Sequence, residues 1–150
     1  MRILVQRVLS SSVSIEGKKV SEIGKGFLLL VGFTHGDDEA IVKKMLDKML
    51  KLRIFADENG KTNLSLAAVG GEVMSVSQFT LYASCKEGNR PSFVNAMEAS
   101  KASALYEYFF QLLKENYPSV QGGVFQTDMQ VSLVNDGPFT VLLDSKELFA

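Results

Sequence analysis

The sequence contains few of the residue types from which most catalytic and metal sites are built. Its 150 residues include one histidine, one cysteine, three prolines and no tryptophan. The single cysteine, Cys85, has no partner within the chain, which excludes an internal disulfide and a cysteine-based zinc site and fits a reducing compartment. We therefore expect a cytoplasmic protein that holds no metal.

Long hydrophobic runs are also missing. The longest apolar stretch, Phe27–Val31, is far shorter than the roughly 20 residues that a membrane-spanning helix needs. The segment Met1–Arg7 breaks its apolar run at Gln6, so it lacks the continuous hydrophobic core of a signal peptide. We expect no association with a membrane.

Charge of one sign is not in excess either, because 16 Lys and Arg stand against 17 Asp and Glu. A dedicated nucleic-acid binder normally carries a strongly basic surface, so this balance argues against one. A transient enzyme needs only a local positive surface. Lys44, Lys48 and Lys51 share one face of a predicted helix, which we interpret as a solvated exterior.

Apolar residues, at 46% of the sequence, are plentiful enough to build the core of one domain covering residues 1–150. Alternating apolar patterns open and close the chain, and two helical patterns lie between them. The predicted strands are Ile3–Val8, Val13–Ile15, Val20–Ile23, Phe27–Val31, Val73–Leu81, Val120–Phe125, Met129–Val134 and Phe139–Leu143.

Two main helices are predicted from apolar stripes at helical spacing. The first begins near Asp37 or Asp38, either of which is expected as its N-cap, and the second spans Phe93–Asn116 before Pro118 ends it. A hairpin is expected around the turn Asn59–Gly60. The fold class is therefore α+β, a layered β/β/α domain with mostly antiparallel strands.

Conventional catalytic constellations are not recognisable. His35 has no partner whose position marks it as a catalytic base, and we interpret it as a loop residue near a helix start. We interpret Cys85 as an incidental thiol, and Asp37 and Asp38 as acids at a helix N-terminus rather than metal ligands. No phosphate-binding loop or Gly-x-Gly-x-x-Gly motif occurs, so no cofactor is predicted.

Two segments carry a more specific signal. Ser77–Ala83 reads SQFTLYA, and Asn135–Thr140 reads NDGPFT. Together they resemble the D-aminoacyl-tRNA deacylase family, whose members cut the ester between a D-amino acid or glycine and the 3′ end of tRNA. Further similarity to that family lies at Val5–Val8, Leu52–Phe55, Asn63–Leu66, Gly88–Phe93 and Asp128–Val131.

The first segment is expected to border the scissile ester. The resemblance implies a catalytic segment with backbone amides near Phe79 that bind the developing oxyanion, and its residues are Ser77, Gln78, Phe79 and Thr80. Without the resemblance, the same segment fits an alternating strand whose Phe79 and Leu81 face the core. Thr80 has no partnered base and is a poor nucleophile, so we expect the 2′-hydroxyl of the terminal ribose to assist the reaction instead.

The second segment is expected to set chirality. The resemblance implies that Gly137–Pro138 is a cis-proline motif that enters the active site of the other subunit of a homodimer and excludes L-aminoacyl-tRNA. From the residues alone, the pair reads as a simple turn with a trans bond. Arg7 matches a family position near this motif and is our candidate for holding its carbonyls, although it also fits a surface strand residue.

Three further residues match the family's pocket for the terminal adenosine, namely Ala102, Phe125 and Met129. An aromatic ring or a thioether can pack against the base, while ordinary core packing remains the alternative for each residue.

Two hypotheses of other classes stay open. A non-catalytic dimeric RNA-binding module would suit the missing base and would bind without turnover. An esterase or peptidase acting through Thr80 or Cys85 would depend on that hydroxyl or thiol.

Overall fold

The computed structural model describes residues 1–150 as a mixed α+β fold with a sheet-dominated core. The strands are β1 Arg2–Ile15, β2 Lys18–Ile23, β3 Gly26–Gly32, β4 Arg53–Ala56, β5 Thr62–Ser65, β6 Glu72–Ser77, β7 Val120–Gly122 and β8 Gln130–Asp144. The helices are α1 Glu39–Leu50, α2 Ala99–Asn116 and the short α3 Ser145–Leu148, with a 3-10 helix at Phe79–Tyr82.

Six of the strands form one sheet around β1. Strands β2 and β3 pair with successive parts of β1 along one edge, β8 pairs along its other edge, and all three pairings are antiparallel. β3 continues the sheet through the parallel neighbours β6 and β7, while β4 and β5 form a separate hairpin. The predicted α+β class and its mostly antiparallel pairing are confirmed, whereas the β/β/α layering stays a prediction.

Two long strands replace pairs of shorter predicted ones. We predicted a break in β1 after Val8 and a break in β8 at Asp136–Pro138, and both predictions are wrong because each strand runs through. The pairing of β1 with β8 shifts register between Gln6 and Ser10, which absorbs the irregular residues without ending either strand. Pro138 is tolerated because β8 pairs with a neighbour on only one side.

Two other predicted boundaries are corrected. Strand β6 ends at Ser77 rather than Leu81, and α2 begins at Ala99 rather than Phe93. The residues before α2 are held to the end of β3 by backbone contacts, since the Met97 amide donates to the Phe33 carbonyl at 3.0 Å and Thr34 bridges Ala96. Such tertiary contacts leave no local sequence signal.

Helix α1 agrees with its predicted apolar stripe. Val42, Met45, Leu46 and Met49 are buried, and Asp38 is the N-cap, accepting a hydrogen bond from the Ile41 amide at 2.9 Å. Capping by Asp satisfies a backbone donor that the first helical turn leaves unpaired. The choice between Asp37 and Asp38 is thereby settled.

The core occupies both faces of β3. On one face, Phe27 and Leu29 pack with residues of α1 and α2 in a cluster of 20 buried residues. On the other face, Leu28 belongs to a cluster of 6 that also includes Val13 and Met74. β3 is buried on both faces and pairs in parallel with β6. Close packing on both sides therefore fixes the positions of the carboxyl ends of these two strands.

Candidate active site

A cavity of about 780 Å³ opens at the carboxyl ends of the paired strands β3 and β6. Helix α2 supplies one wall with its first turns, and the loop between β7 and β8 supplies another. The lining residues are Val31, Gly32, Phe33, Val76, Ser77, Gln78, Phe79, Phe93, Ala96, Met97, Glu98, Ala99, Ala102, Phe125, Gln126, Thr127, Asp128, Met129 and Val131. We call this cavity the active-site pocket.

The active-site pocket brings together six residues that the sequence had singled out. They come from three separate parts of the chain, and they are Ser77, Gln78, Phe79, Ala102, Phe125 and Met129. Thr80 is the next residue after Phe79 but does not line this pocket, and neither do Arg7, Gly137 and Pro138 of the same chain. The predicted residues therefore form two groups in space.

The turn after β6 leaves two backbone amides unpaired beside the pocket. The Gln78 amide still donates to the Val31 carbonyl at 2.7 Å, but the amides of Phe79 and Thr80 make no hydrogen bond within the chain. Free amides at the start of a helical turn carry partial positive charge and attract an anionic oxygen. The two amides are therefore candidates for binding an oxyanion.

The Thr80 hydroxyl has no base beside it. It accepts a hydrogen bond from the Gln78 side-chain amide at 2.5 Å and is exposed to solvent. An amide NH₂ group can donate but cannot take a proton from the hydroxyl, so nothing in this contact activates Thr80 as a nucleophile.

Exposed aromatic rings line the pocket mouth. Phe79 is 54% exposed and Phe93 is 42% exposed, and their ring centroids lie 5.0 Å apart in an edge-to-face arrangement. The interpretation that Phe79 faces the core of a strand is therefore wrong, because the chain has already turned into the 3-10 helix. Two adjacent exposed rings offer a surface on which a flat ligand can pack.

The inner wall is more rigid. Ala102 is buried, the Phe125 ring stacks on Tyr106 with centroids 6.1 Å apart, and the Met129 sulfur accepts from the Val124 amide at 3.4 Å. The Tyr106 hydroxyl bonds Ser75 at 3.0 Å inside the core. Burial raises the pKa of Tyr106 to about 12, against a smaller opposing effect of the Ser75 hydrogen bond.

Tyr106 supports the pocket and was not predicted from the sequence. It follows Ala102 by four residues on α2, so both side chains fall on the same helix face. That spacing was the available signal. A tyrosine in an apolar stripe has to place its hydroxyl somewhere, and here it does so through Ser75.

The second group surrounds Gly137–Pro138 on β8, whose peptide bond is cis. Arg7 reaches this segment from β1, with Nε donating to the Asp136 carbonyl at 2.9 Å and Nη1 donating to the Ile54 carbonyl at 2.6 Å. Its guanidinium lies 4.6 Å from the centre of the Phe139 ring. Arg7 thus holds the carbonyl just before the predicted motif.

Only glycine fits at position 137. Its φ of 137° is a conformation that other residues rarely adopt, and an added Cβ would come within 3.0 Å of the Arg7 guanidinium. The Asn135 side chain bridges the same segment, accepting from the Phe139 amide at 2.6 Å and donating to the Thr140 hydroxyl at 2.9 Å. We call Asn135–Phe139 the Gly137 segment.

The remaining candidates lie elsewhere. His35 is exposed, with Nε2 2.7 Å from the Val94 carbonyl, and Cys85 is an exposed free thiol. Asp37 accepts from the Thr34 amide at 2.8 Å and pairs with the Met1 ammonium at 2.7 Å. The fold brings no three His, Cys, Asp or Glu side chains together in a metal-binding geometry, and no helix is long and apolar enough to cross a membrane.

Known proteins match the chain over nearly its whole length. Residues 4–144 match the family model described as D-Tyr-tRNA(Tyr) deacylase. The D-aminoacyl-tRNA deacylase of Lactobacillus acidophilus is 56% identical over 144 residues, covering 96% of this chain and 99% of that protein. The solved structure named c-Myc DNA Unwinding Element Binding Protein has a TM-score of 0.91 at 37% identity, covering 96% of this chain and 98% of that one.

A second solved structure, described as a probable eukaryotic D-amino acid tRNA deacylase, has a TM-score of 0.83 at 16% identity. It covers 95% of this chain and 97% of that one and supports the fold alone. The family model matches most of the chain, and the Lactobacillus relative is 56% identical to it. This chain belongs to the D-Tyr-tRNA(Tyr) deacylase family.

Proposed function

We propose that this protein hydrolyses the ester of D-aminoacyl-tRNA, releasing the free amino acid and the tRNA. The observation that carries the proposal is the pair of unpaired amides of Phe79, which lines the active-site pocket, and of the next residue, Thr80. Donors aimed at a developing oxyanion are commonly the largest single contribution to acyl transfer. The family membership supports the choice of substrate.

The reaction needs no side-chain nucleophile. Water adds to the ester carbonyl carbon, the Phe79 and Thr80 amides hold the oxyanion, and collapse breaks the bond to the ribose 3′-oxygen, which leaves as the alcohol. The neighbouring 2′-hydroxyl assists by exchanging protons between the attacking water and the leaving oxygen. Ser77 and Gln78 shape the pocket around the ester.

The terminal adenosine is the proposed occupant of the inner wall. Phe125 and Met129 offer an aromatic and a thioether surface, and the small Ala102 leaves room for the base. Stacking of a base on an aromatic ring is worth roughly 1–3 kcal/mol.

The Gly137 segment is proposed to complete the site of a second subunit. Gly137 and Pro138 are exposed and lie outside the pocket of their own chain, and Arg7 fixes the backbone beside them. The open edge of β8 also exposes Val134 and Leu142, at 51% and 49%. A two-fold dimer that buries this edge would be the simplest closed arrangement.

In that dimer, the Gly137 segment would exclude L-aminoacyl-tRNA. Two enantiomers carry the same groups, so attraction alone discriminates weakly and a rigid obstacle is needed. Backbone carbonyls fixed beside the α-carbon would occupy the space of an L side chain, whereas glycine would pass.

We place the reaction in the cytoplasm, where aminoacyl-tRNA is used.

A non-catalytic nucleic-acid-binding dimer is the competing function. The structural relative with 37% identity carries a DNA-binding name, which gives this alternative a specific basis. It predicts binding without turnover. The formal charge of −1 and the free amides of Phe79 and Thr80 favour catalysis.

The test is hydrolysis of D-tyrosyl-, L-tyrosyl- and glycyl-tRNA by the purified protein. We expect rapid cleavage of the D ester, measurable cleavage of the glycyl ester and only background loss of the L ester. Exhaustive chelation is expected to leave the rate unchanged. Equal rates on D- and L-tyrosyl-tRNA would remove the proposed role of Gly137–Pro138.

The mechanism is tested by removing each candidate reactive group in turn, on the protein and on the substrate. Thr80→Ala, Cys85→Ala and His35→Ala are expected to keep appreciable turnover, whereas a substrate with a terminal 2′-deoxyribose is expected to react very slowly. Loss of side-chain base or nucleophile catalysis typically costs about 10²–10⁴-fold. A loss of that size in any of the three variants, with the fold intact, would favour the esterase or peptidase hypothesis.

The shared site is tested by complementation between two impaired variants, assayed with D-tyrosyl-tRNA well below its KM. Ala102→Leu should narrow the pocket, and Gly137→Ala should disturb the donated segment. If each site combines one pocket with the other chain's segment, random pairing restores about a quarter of the sites. Sedimentation should show the dimer, and an active monomer or a mixture without recovery would contradict the arrangement.

A further inference from the structure

A second, strongly polar cavity lies next to the active-site pocket. Its volume is about 650 Å³, and its walls include Arg2, Lys86, Asp144 and Lys146. Three cationic side chains face one carboxylate there, although the whole chain carries a formal charge of −1. We call this cavity the basic pocket.

The charges of the basic pocket are not mutually neutralised. Arg2 is committed within the chain, with Nε bonding the Asp144 carboxylate at 2.9 Å and Nη1 bonding the Leu81 carbonyl at 2.7 Å. Lys86 and Lys146 form no salt bridge with any acidic group. Two ammonium groups are therefore available to an anion from outside.

The basic pocket and the active-site pocket share a wall. The 3-10 helix contributes Phe79 to the active-site pocket and Tyr82 to the basic pocket, while Phe33 lines the first and the next residue, Thr34, lines the second. A four-residue 3-10 helix is about 8 Å long, since each residue rises about 2 Å. A short single-stranded 3′ end can span that distance.

We propose that the basic pocket binds a backbone phosphate of the RNA whose 3′-terminal aminoacyl ester occupies the active-site pocket. The inference rests on the proposed function and adds a subsite to it. Lysine ammonium groups bind phosphate as point charges, and the ion pair with Arg2 compensates the negative charge of Asp144. The subsite gives an overall acidic chain a local attraction for its polyanionic substrate.

The first test separates phosphate binding from ester cleavage. Lys86→Gln/Lys146→Gln is compared with Lys61→Gln/Lys114→Gln, which removes the same charge from exposed positions outside both pockets. On D-tyrosyl-tRNA, the first variant should raise KM about tenfold and leave kcat little changed, because each lost contact to a charged group weakens binding. On D-tyrosyl-adenosine, which has no phosphate, it should match the wild type.

Salt dependence gives an independent measure of the same contact. Removing two phosphate contacts should lower the slope of log kcat/KM against log salt by about 1 to 2. An equal loss on both substrates would mean a structural effect, and an equal loss in the control variant would mean a general charge effect. Either result, or no loss at all, would overturn the subsite.

The second test locates the ligand directly and does not depend on turnover. Cys85 is exposed, lines the basic pocket and is the chain's one thiol, so its alkylation by iodoacetamide reports access to the pocket. An RNA minihelix that ends in the tRNA 3′ sequence and carries no amino acid should slow alkylation severalfold in the wild type. It should not slow alkylation in Lys86→Gln/Lys146→Gln.

Inorganic phosphate in place of the minihelix distinguishes the two sources of the anion. Protection by RNA at concentrations where phosphate does nothing supports the proposal. Protection by phosphate alone, or no protection at saturating RNA, overturns it. If the wild type protects Cys85 with RNA yet cleaves no D-aminoacyl ester, the proposed function fails while the RNA subsite stands.

Discussion

The active-site pocket and the Gly137 segment hold their residues in different ways. The pocket gathers side chains from β6, α2 and the loop before β8 around an open cavity, and Phe79 and Phe93 at its mouth are largely exposed. The Gly137 segment is a short stretch of backbone, to which Arg7 donates a hydrogen bond at Asp136 and whose Phe139 amide donates to the Asn135 side chain. In the proposed function, the pocket would admit and release the substrate, and the segment would be the fixed obstacle to an L side chain.

Arg7→Ala is expected to have the largest effect, because it removes what fixes the Gly137 segment. It loses two charge-assisted hydrogen bonds, each worth about 1.5–3 kcal/mol, and the contact with the Phe139 ring. We expect a loss of about 3 kcal/mol in the free energy of unfolding, together with loss of discrimination between D- and L-tyrosyl-tRNA. Urea denaturation and the two hydrolysis rates measure these.

Two variants control the Arg7 experiment. Arg7→Lys keeps the charge but cannot make both bonds, so it should fall between the alanine variant and the wild type. Arg53→Ala removes an exposed arginine bonded only to Asn63 and should change stability by about 0.5 kcal/mol or less. If the Arg7→Ala protein kept its stability and its selectivity between D- and L-tyrosyl-tRNA, Arg7 would not be what fixes the Gly137 segment.

Asn135→Ala is expected to come next, since it removes the other side chain that fixes the segment. The Phe139 amide loses its acceptor and the Thr140 hydroxyl loses its donor, for a cost of about 2 kcal/mol. Asn135→Asp keeps the acceptor for Phe139 and should recover about half of that loss. Thermal and urea unfolding at equal protein concentration test the order of the three proteins.

In the active-site pocket, Ala102→Leu should change binding more than stability. The larger side chain fills space at the inner wall, and differences of one or two methylene groups in a pocket commonly cost tenfold or more, so we expect KM for D-tyrosyl-tRNA to rise about tenfold. Ala104→Leu, on the exposed side of the same helix, is the control. Equal effects of the two would show that the helix, rather than the pocket, is being perturbed.

Tyr106→Phe should have the smallest effect and separates support of the pocket from its chemistry. The ring that stacks on Phe125 is kept, but the hydrogen bond to Ser75 is lost, for about 1 kcal/mol and no more than a twofold change in rate. A tenfold loss of activity would give the hydroxyl a role that its burial argues against.

The raised pKa of Tyr106 predicts that the free energy of unfolding depends on pH, and Tyr106→Phe tests this. Burial raises the pKa of Tyr106 from its ordinary value of 10.0 to about 12, so the hydroxyl's contribution is fully present below pH 10. It is lost between about pH 10 and 12, where the unfolded chain ionises first. The wild type should therefore lose stability more steeply than Tyr106→Phe in that window, as measured by urea unfolding.

Sequence patterns predicted the elements whose signals are local. The apolar stripe and the acidic cap of α1 specify that helix by themselves, and the structure agrees with them. The start of α2 was predicted too early because Phe93–Glu98 is held by backbone contacts to Phe33 and Thr34, which lie more than 60 residues earlier in the sequence. Continuity of β8 through Pro138 likewise depends on its pairing with β1.

The site was predictable mainly through the family resemblance. Composition and spacing did not reveal Ser77–Phe79 as part of a pocket, because an alternating strand explains the same letters. The free amides of Phe79 and Thr80 belong to the backbone and leave no residue signature. The role of Tyr106 was not predicted, because the spacing of a tyrosine in an apolar helical stripe is the same as that of any other core residue.

The placement of β1 has a consequence for synthesis of the chain. β1 is the first strand to be made, but the edge that pairs with β8 stays open until the last strand appears, roughly a hundred residues later. At about 5–20 residues per second, a ribosome leaves that edge unpaired for on the order of ten seconds. Ser10–Ser12, which pair with β8 in the finished fold, lie along that edge and offer a neighbouring chain less apolar surface than the rest of the strand does while the edge is open.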